Sequence, residues 1–210
     1  MRMGRRIPVF PLPGAILFPG LQLPLHIFEQ RYRAMVGDAL TRDRLIGMVQ
    51  PAASAVEDVS DPPSLYSVGC IGKIEDVEAS EDGRYNIVLT GTSRFRILRE
   101  IDAKTPFRQV EAEEIAELEE EFLTLGERAS FEHEARKYAD AQGYAVDWDS
   151  VARLDDVTLV NGVSQIAPFD SAAKQALLEA PNLRERCDLL VQLMEFFSRS
   201  DPDEDRVTLQ

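Results

Sequence analysis

The amino-acid sequence predicts an α+β protein, with a β-rich half followed by an all-helical half. Five prolines between residues 8 and 24 exclude a helix there, because proline lacks an amide hydrogen and clashes with the preceding turn. The pair Asp82-Gly83 lies between two long β-type segments and predicts a hairpin. Beyond residue 112, apolar residues recur every three or four positions, which is typical of amphipathic helices.

In the first half, proline-containing segments are predicted to form strands at a sheet edge, where a residue without an amide hydrogen is tolerated. A helix is predicted from Phe28 to Leu40, and residues 51–64 are predicted to be a loop. Gly91 interrupts the alternation of its segment and indicates a bulge or a bend. The predicted β-type segments are residues 7–27, 44–50, 68–80, 84–101 and 107–115.

The predicted domains are a β-rich domain at residues 1–112 and a helical domain at 113–200, followed by a disordered polar tail at 201–210. The acidic run "EAEEIAELEEE" is predicted to begin the first helix of the second domain, where glutamate suits the helix dipole. Two apolar faces are predicted for that helix: Leu118, Phe122, Leu125 and Ala129, and then Phe131, Ala135 and Tyr138. The predicted N-caps are Asp155, Asp170 and Asn182.

The formal net charge of −14 disfavours nucleic acid and anionic membranes as partners, because both carry negative charge. The charge is uneven, since the first 50 residues hold seven arginines and three acidic residues. This basic end could steer a partner, or its arginines could simply solvate their own segment.

The apolar stretch at residues 10–32 looks at first like an export signal, but its prolines prevent the required helix. No apolar run approaches the roughly 18 residues that a membrane span needs. Cys70 and Cys187 are isolated in sequence, which fits a reducing compartment, and Cys187 is predicted to fill a core. We therefore expect a cytoplasmic protein that is not bound to a membrane.

Motifs for catalysis or cofactors are not found in the sequence. His133-Glu134 lacks a second histidine at position 137, where a zinc protease would need one, and His26 is predicted to make a structural hydrogen bond. Neither a G-x-S-x-G nucleophile motif nor a phosphate-binding G-x-x-x-x-G-K-[ST] loop occurs. We therefore predict a protein that is not an enzyme and has no cofactor and no metal site.

The opening segment contains more apolar side chains than strand alternation can bury. An exposed apolar patch usually marks a binding site, although this segment could instead fold back over the sheet and fill it. An extended peptide could also add to a free sheet edge. The candidate protein-binding residues are Leu12, Ile16, Leu17, Phe18 and Leu21.

The same segment, "IPVFPLPGAILFPGLQLPLHIFEQRYRAMV", closely resembles the opening of the Lon protease N-terminal domain family, also called the Lon substrate-binding domain. The hairpin segment and the stretch "PFDSAAKQALLEAPNLRERCDLL" are similar to later parts of that family, so the resemblance covers roughly residues 6–198. It implies a PUA-like pseudo-barrel followed by a C-terminal α-helical bundle. In full-length Lon, this region engages protein substrates and precedes ATPase and Ser-Lys protease modules. The chain resembles the free-standing bacterial type without those modules.

The resemblance implies a non-catalytic module that binds unfolded or client proteins and peptides, or acts as an adaptor. An inherited peptidase activity, or docking on a separate ATP-dependent protease, is the alternative. RNA binding through the PUA-like fold is a further alternative, for which Arg94, Arg96 and Arg99 form a basic cluster in the sequence. The identity of the client and the oligomeric state stay open.

Overall fold

The computed structural model of the protein describes residues 4–52, 63–116 and 122–199. The predicted tail at 201–210, residues 53–62 of the predicted loop, and Leu118 lie outside these residues. Within them, no helix has the length and apolar character needed to cross a membrane. The strands are β1 (Arg5–Pro11), β2 (Gln22–Ile27), β3 (Leu45–Val49), β4 (Val68–Ala79), β5 (Tyr85–Ile101) and β6 (Gln109–Glu114). The helices are α1 (Gln30–Leu40), α2 (Leu125–Ala141), α3 (Trp148–Val151), α4 (Asp156–Ile166), α5 (Ser171–Glu179) and α6 (Leu183–Arg199).

Five of the strands close into a barrel, which confirms the predicted α+β class and its β-rich first part. β1 pairs in parallel with β3 and antiparallel with β6, while β4 pairs antiparallel with β3 and β5. The pairing of β5 with β6 closes the circle. β2 pairs with the first half of β5 and ends the sheet, as predicted for an edge strand. β1 was predicted at an edge too, and that prediction is wrong because β1 lies between β3 and β6.

The predicted irregularity at Gly91 is confirmed as a bulge. Ile71 of β4 pairs with Ser93, while the next residue, Gly72, pairs with Gly91, so Thr92 is an extra residue in β5. The opening segment crosses β5 at this point: the Gly20 amide donates to the Gly91 oxygen at 2.9 Å. A β-carbon on Gly91 would collide with the Phe18 carbonyl group, so only glycine permits this approach.

Helix α1 covers one face of the sheet with the apolar stripe that its sequence predicts. Tyr32, Met35, Val36 and Ala39 are its buried residues, and they form a core with side chains of β1 to β5. Phe28 was predicted at the start of this stripe, but it precedes the helix and its side chain is 59% exposed. A second core, inside the barrel, is formed by Ile7, Val9, Val49, Ile71, Phe95, Val110 and Ala112.

The described residues divide into two compact units, and the domain boundary after residue 112 stays a prediction. The first unit comprises those within Met1–Glu117 and Asn161–Glu179, and the second those within Leu118–Val160 and Ala180–Gln210. Helix α5 belongs to the first unit and is hydrogen-bonded to the barrel. The Gln175 side-chain amide donates to the Val68 carbonyl at 3.0 Å, and the Gln50 side chain donates to the Ser171 carbonyl at 3.1 Å.

The first residues of the acidic run do not begin a helix, so the prediction is wrong for them, and residues 117–121 of the run lie outside the described residues. Its first residues belong to β6, where Glu111 forms an ion pair with Arg99 at 2.6 Å and Glu114 forms one with Arg5 at 3.5 Å. The helix begins later, at Leu125, after a capping box formed by Thr124 and Glu127.

In the second unit, α2 packs against α6. The second predicted apolar face of α2, at Phe131, Ala135 and Tyr138, is buried. The first predicted face is wrong, because Phe122 and Leu125 are exposed and Phe122 precedes the helix. Burial of Cys187 in α6 confirms the prediction for this residue and raises the pKa of its thiol to about 12. The predicted caps are confirmed by amide hydrogen bonds to the side chains of Asp155, Asp170 and Asn182.

Candidate functional site

The structure places most of the predicted binding segment in the interior of the first unit. Ile16, Leu17 and Phe18 are 4%, 1% and 0% exposed, so the expectation that they form an exposed patch is wrong. The segment instead folds back over the sheet, the alternative that the sequence left open. The other two candidates, Leu12 and Leu21, are half-buried. The accessible part of the predicted site is therefore limited to these two leucines.

Hydrogen bonds from α4 hold this segment in place. The Phe18 amide donates to the Gln165 side-chain oxygen at 3.1 Å, and the Gln165 side-chain amide donates to the Gln22 carbonyl at 2.9 Å. The Asn161 side chain reaches the Pro19 carbonyl at 3.4 Å. Sequence reasoning missed these residues because a polar residue on a helix gives no sign of a partner about 140 positions away.

The free edge of β2 is poorly suited to adding another strand. The Gly91 amide donates to the Leu21 carbonyl, so by alternation the backbone groups of Gln22, Pro24 and His26 point away from β5. Pro24 has no amide hydrogen, and the Gln22 carbonyl already accepts from Gln165. A proline in the middle of an edge protects it from further pairing.

A concave surface lined mostly by prolines is one candidate site. Its cavity volume is about 260 Å³. We call it the proline groove because prolines supply most of its wall. It is lined by Pro11, Pro13, Arg31, Tyr32, Pro51, Pro63, Pro106, Phe107 and Arg108.

Arg108 is fixed in the wall of the proline groove by three hydrogen bonds. Two of its nitrogens donate to the Glu100 carboxylate at 2.7 Å each, and a third donates to the Pro63 carbonyl at 2.7 Å. Hydrogen bonds from Arg108 lower the pKa of Glu100 below its ordinary value. The guanidinium therefore stays in one position and joins β6 to the chain before β4.

Arg31 and Tyr32, at the start of α1, are also part of the lining. The Arg31 guanidinium lies 4.6 Å from the centre of the Tyr32 ring and donates to Glu29 at 3.0 Å. The Tyr32 ring contacts Phe10 with a centroid distance of 4.2 Å. Burial raises the pKa of the Tyr32 phenol, so the hydroxyl is protonated at neutral pH and can donate a hydrogen bond. Among the described residues, this hydroxyl has no hydrogen-bond partner.

A second concavity, of about 400 Å³, lies on β2, β4 and β5, and His26 is part of its lining. The His26 ring nitrogen Nδ1 lies 2.7 Å from the Asn86 side-chain oxygen, and the Asn86 amide donates to Glu78 at 3.2 Å. This confirms a structural hydrogen bond for His26. Across the part of the chain that the structure describes, no three His, Cys, Asp or Glu side chains form a group that could hold a metal ion.

The arginines that supported the RNA-binding alternative do not form one basic surface. Arg94 is 2% exposed, and its guanidinium donates to the Leu178 carbonyl at 2.8 Å. Arg99 is paired with Glu111, and Arg96 is exposed on β5. A nucleic-acid surface built on these three residues is therefore excluded.

Most of the chain matches one known protein family. A family described as the ATP-dependent protease La (LON) substrate-binding domain matches residues 6–195. The chain is 29% identical over 204 residues to Lon protease 1 of Bdellovibrio bacteriovorus, and 28% identical over 189 residues to Lon protease 2 of Herpetosiphon aurantiacus. These alignments cover 92% and 86% of this chain, but 25% and 22% of the relatives. The chain thus spans about a quarter of the length of the curated relatives that it matches.

Two solved structures share the fold. A Lon N-terminal domain protein from Xanthomonas campestris has a TM-score of 0.68 and 20% identity, with 90% of this chain and 98% of that chain covered. The N-terminal domain of the Mycobacterium avium complex Lon protease has a TM-score of 0.66 and 22% identity, with 91% and 98% covered.

Proposed function

Because the chain belongs to the family of Lon substrate-binding domains, we propose that it is a non-catalytic module that binds apolar segments of client proteins. The observation that carries this proposal is the extent of the family match, residues 6–195. The match covers the barrel and reaches into α6, so the proline groove belongs to the matched domain.

The chemistry of the proline groove supports binding rather than catalysis. Its lining consists of prolines, two aromatic residues and two arginines, which provide neither a nucleophile paired with a base nor an acid-base pair of carboxylates. Concave surfaces with mostly apolar walls and a few placed polar groups are typical of binding sites. The accessible candidates Leu12 and Leu21 remain part of the proposed client surface.

A related role is that of an adaptor or regulator that docks on a separate ATP-dependent protease. The names of the curated relatives, which are Lon proteases, support this role. The proposal places the protein in the cytoplasm, where isolated thiols such as Cys70 and Cys187 stay reduced. The proposed function includes neither a nucleic acid nor a membrane as a partner.

The proposal is tested by fluorescence anisotropy with a labelled, permanently unfolded client and with the native form of the same client. We expect saturable binding of the unfolded form only, because only that form exposes apolar segments. Incubation of the protein with casein and ATP is expected to yield no cleavage. Absence of binding, or ATP-dependent cleavage by the pure protein, would contradict the proposal.

A further inference from the structure

We propose that the proline groove binds the C-terminal residue of an apolar peptide tail, with the side chain against the prolines and the carboxylate facing Arg31 and the Tyr32 hydroxyl. This inference rests on the proposed function and deepens it, because it names the part of a client that is recognised. Three properties of the groove lead to it: its apolar wall, its free hydrogen-bond donors and its size.

The apolar wall of the groove fits a large apolar side chain. Five of the nine lining residues are prolines, whose nitrogens have no hydrogen to donate, and Phe107 adds an aromatic side chain. Transfer of apolar surface from water to such a wall is favourable. A polar side chain would lose hydrogen bonds to water without replacing them.

Arg31 gives the groove a donor for a carboxylate. Both charged lining residues are arginines. Arg108 is fully engaged by the ionised Glu100 and by Pro63, so it supplies neither net charge nor a free donor. Arg31 keeps a donor available: its Nε and Nη2 contact Glu29, while its Nη1 has no partner among the described residues. With the Tyr32 hydroxyl, the groove thus offers two donors.

The size of the groove favours a chain end over a segment that passes through. Its volume of about 260 Å³ lies below the roughly 300–1,000 Å³ of typical ligand pockets. A chain end needs space for one side chain and its carboxylate. The two donors are also held in place, because Tyr32 packs against Phe10 and Arg31 stacks on Tyr32. Such preorganisation reduces the entropy cost of binding.

The test uses the full chain and two labelled peptides of identical apolar sequence ending in Phe, one with a free carboxylate and one amidated. Fluorescence anisotropy gives the two dissociation constants. We expect the free acid to bind about tenfold more tightly, since hydrogen bonds to a charged group exceed neutral ones by a kcal/mol or more. Equal affinities, or no binding of either peptide, would overturn the inference.

Substitutions in the groove assign the preference to its donors. Arg31→Met keeps a long apolar stem and removes the charge, while Tyr32→Phe removes only the hydroxyl; each is expected to reduce the acid-to-amide ratio several-fold. Arg42→Met is the matched control, because Arg42 is also exposed and paired with a carboxylate, Asp38, but lies outside the groove lining. A ratio that is unchanged in both groove variants would overturn the inference.

The outcomes for the inference and for the proposed function are distinguishable. If the unfolded client binds but the free-acid and amidated peptides bind equally, only the assignment of the C-terminus to the groove falls. If neither the client nor the peptides bind, the proposed function falls as well. Circular dichroism of each variant establishes that it is folded, and the acid-to-amide comparison on the unsubstituted protein needs no variant.

Discussion

The buried guanidinium of Arg94 on β5 donates a hydrogen bond to the carbonyl oxygen of Leu178, the penultimate residue of α5, at 2.8 Å. The last carbonyls of a helix lack partners within the helix and carry partial negative charge. A cation at this end therefore satisfies one of them and complements the dipole. This relationship links the barrel to α5.

Replacement of Arg94 by Met is expected to lower the free energy of unfolding by about 2–3 kcal/mol, because a buried acceptor loses a charged donor. Urea denaturation followed by circular dichroism measures the change. The control is Arg96→Met, which alters an exposed arginine two positions away and should change stability by about 0.5 kcal/mol or less. Equal stabilities of the two variants would show that the Arg94 hydrogen bond does not link the elements as described.

Gly91 and Gly37 are expected to respond to alanine in opposite directions. A β-carbon at Gly91 collides with the Phe18 carbonyl group, so Gly91→Ala should destabilise the protein by about 2–4 kcal/mol. Gly37 lies within α1 with nothing near its missing β-carbon, so Gly37→Ala should stabilise it by about 0.5–1 kcal/mol. Thermal unfolding of both variants measures these changes in stability. A neutral Gly91→Ala variant would contradict the close approach of the opening segment to β5.

The double substitution of Leu17 and Phe18 by Ser tests the burial of the opening segment. Each change removes a fully buried apolar side chain and leaves a hydroxyl in the core, so the variant is expected to lose its cooperative unfolding transition. The matched variant with Leu12→Ser and Leu21→Ser changes half-buried residues and should retain the fold. A stable Leu17/Phe18 variant that loses only client binding would restore these residues as a surface site.

The pair formed by Glu100 and Arg108 predicts a pH dependence. The pKa of Glu100 is lowered in the folded protein, so its contribution to stability is present above its unfolded pKa of about 4.3 and is lost as the pH falls through the lower folded pKa. Glu100→Gln should therefore reduce stability at pH 7 and reduce it less at about pH 3. Urea midpoints at the two pH values measure the difference. An equal effect at both would contradict a charged interaction here.

Local signals explain which elements the sequence could predict. The hairpin at Asp82-Gly83 is confirmed by the antiparallel pairing of β4 with β5. Gly83 in its turn adopts a φ of 79°, which glycine tolerates. Asn182 caps α6 through residues only three positions apart. These features depend on neighbours in the chain, so the pattern of residues predicts them directly.

Features that depend on distant residues could not be predicted. Glu111 belongs both to the predicted strand at residues 107–115 and to the acidic run that predicts a helix, and its pairing with Arg99 on β5 decides for the strand. Gln165 and Arg94 gave no signal, since their partners are far away in sequence.

The proline groove likewise collects prolines from across the first half of the chain. Pro11 and Pro13 stood out in the sequence, but Pro51, Pro63 and Pro106 did not. Only the closed barrel brings these five residues around one cavity, so a pattern confined to the opening segment could not predict the site.

The most direct test of client binding is an NMR titration of the isotopically labelled protein with an unfolded client. We expect saturable shifts of backbone amide signals at and around the proline groove, with Leu12, Tyr32 and Phe107 among the affected residues. A spectrum that is unchanged at saturating client would contradict the binding function, and shifts confined to residues distant from the groove would contradict its role as the site.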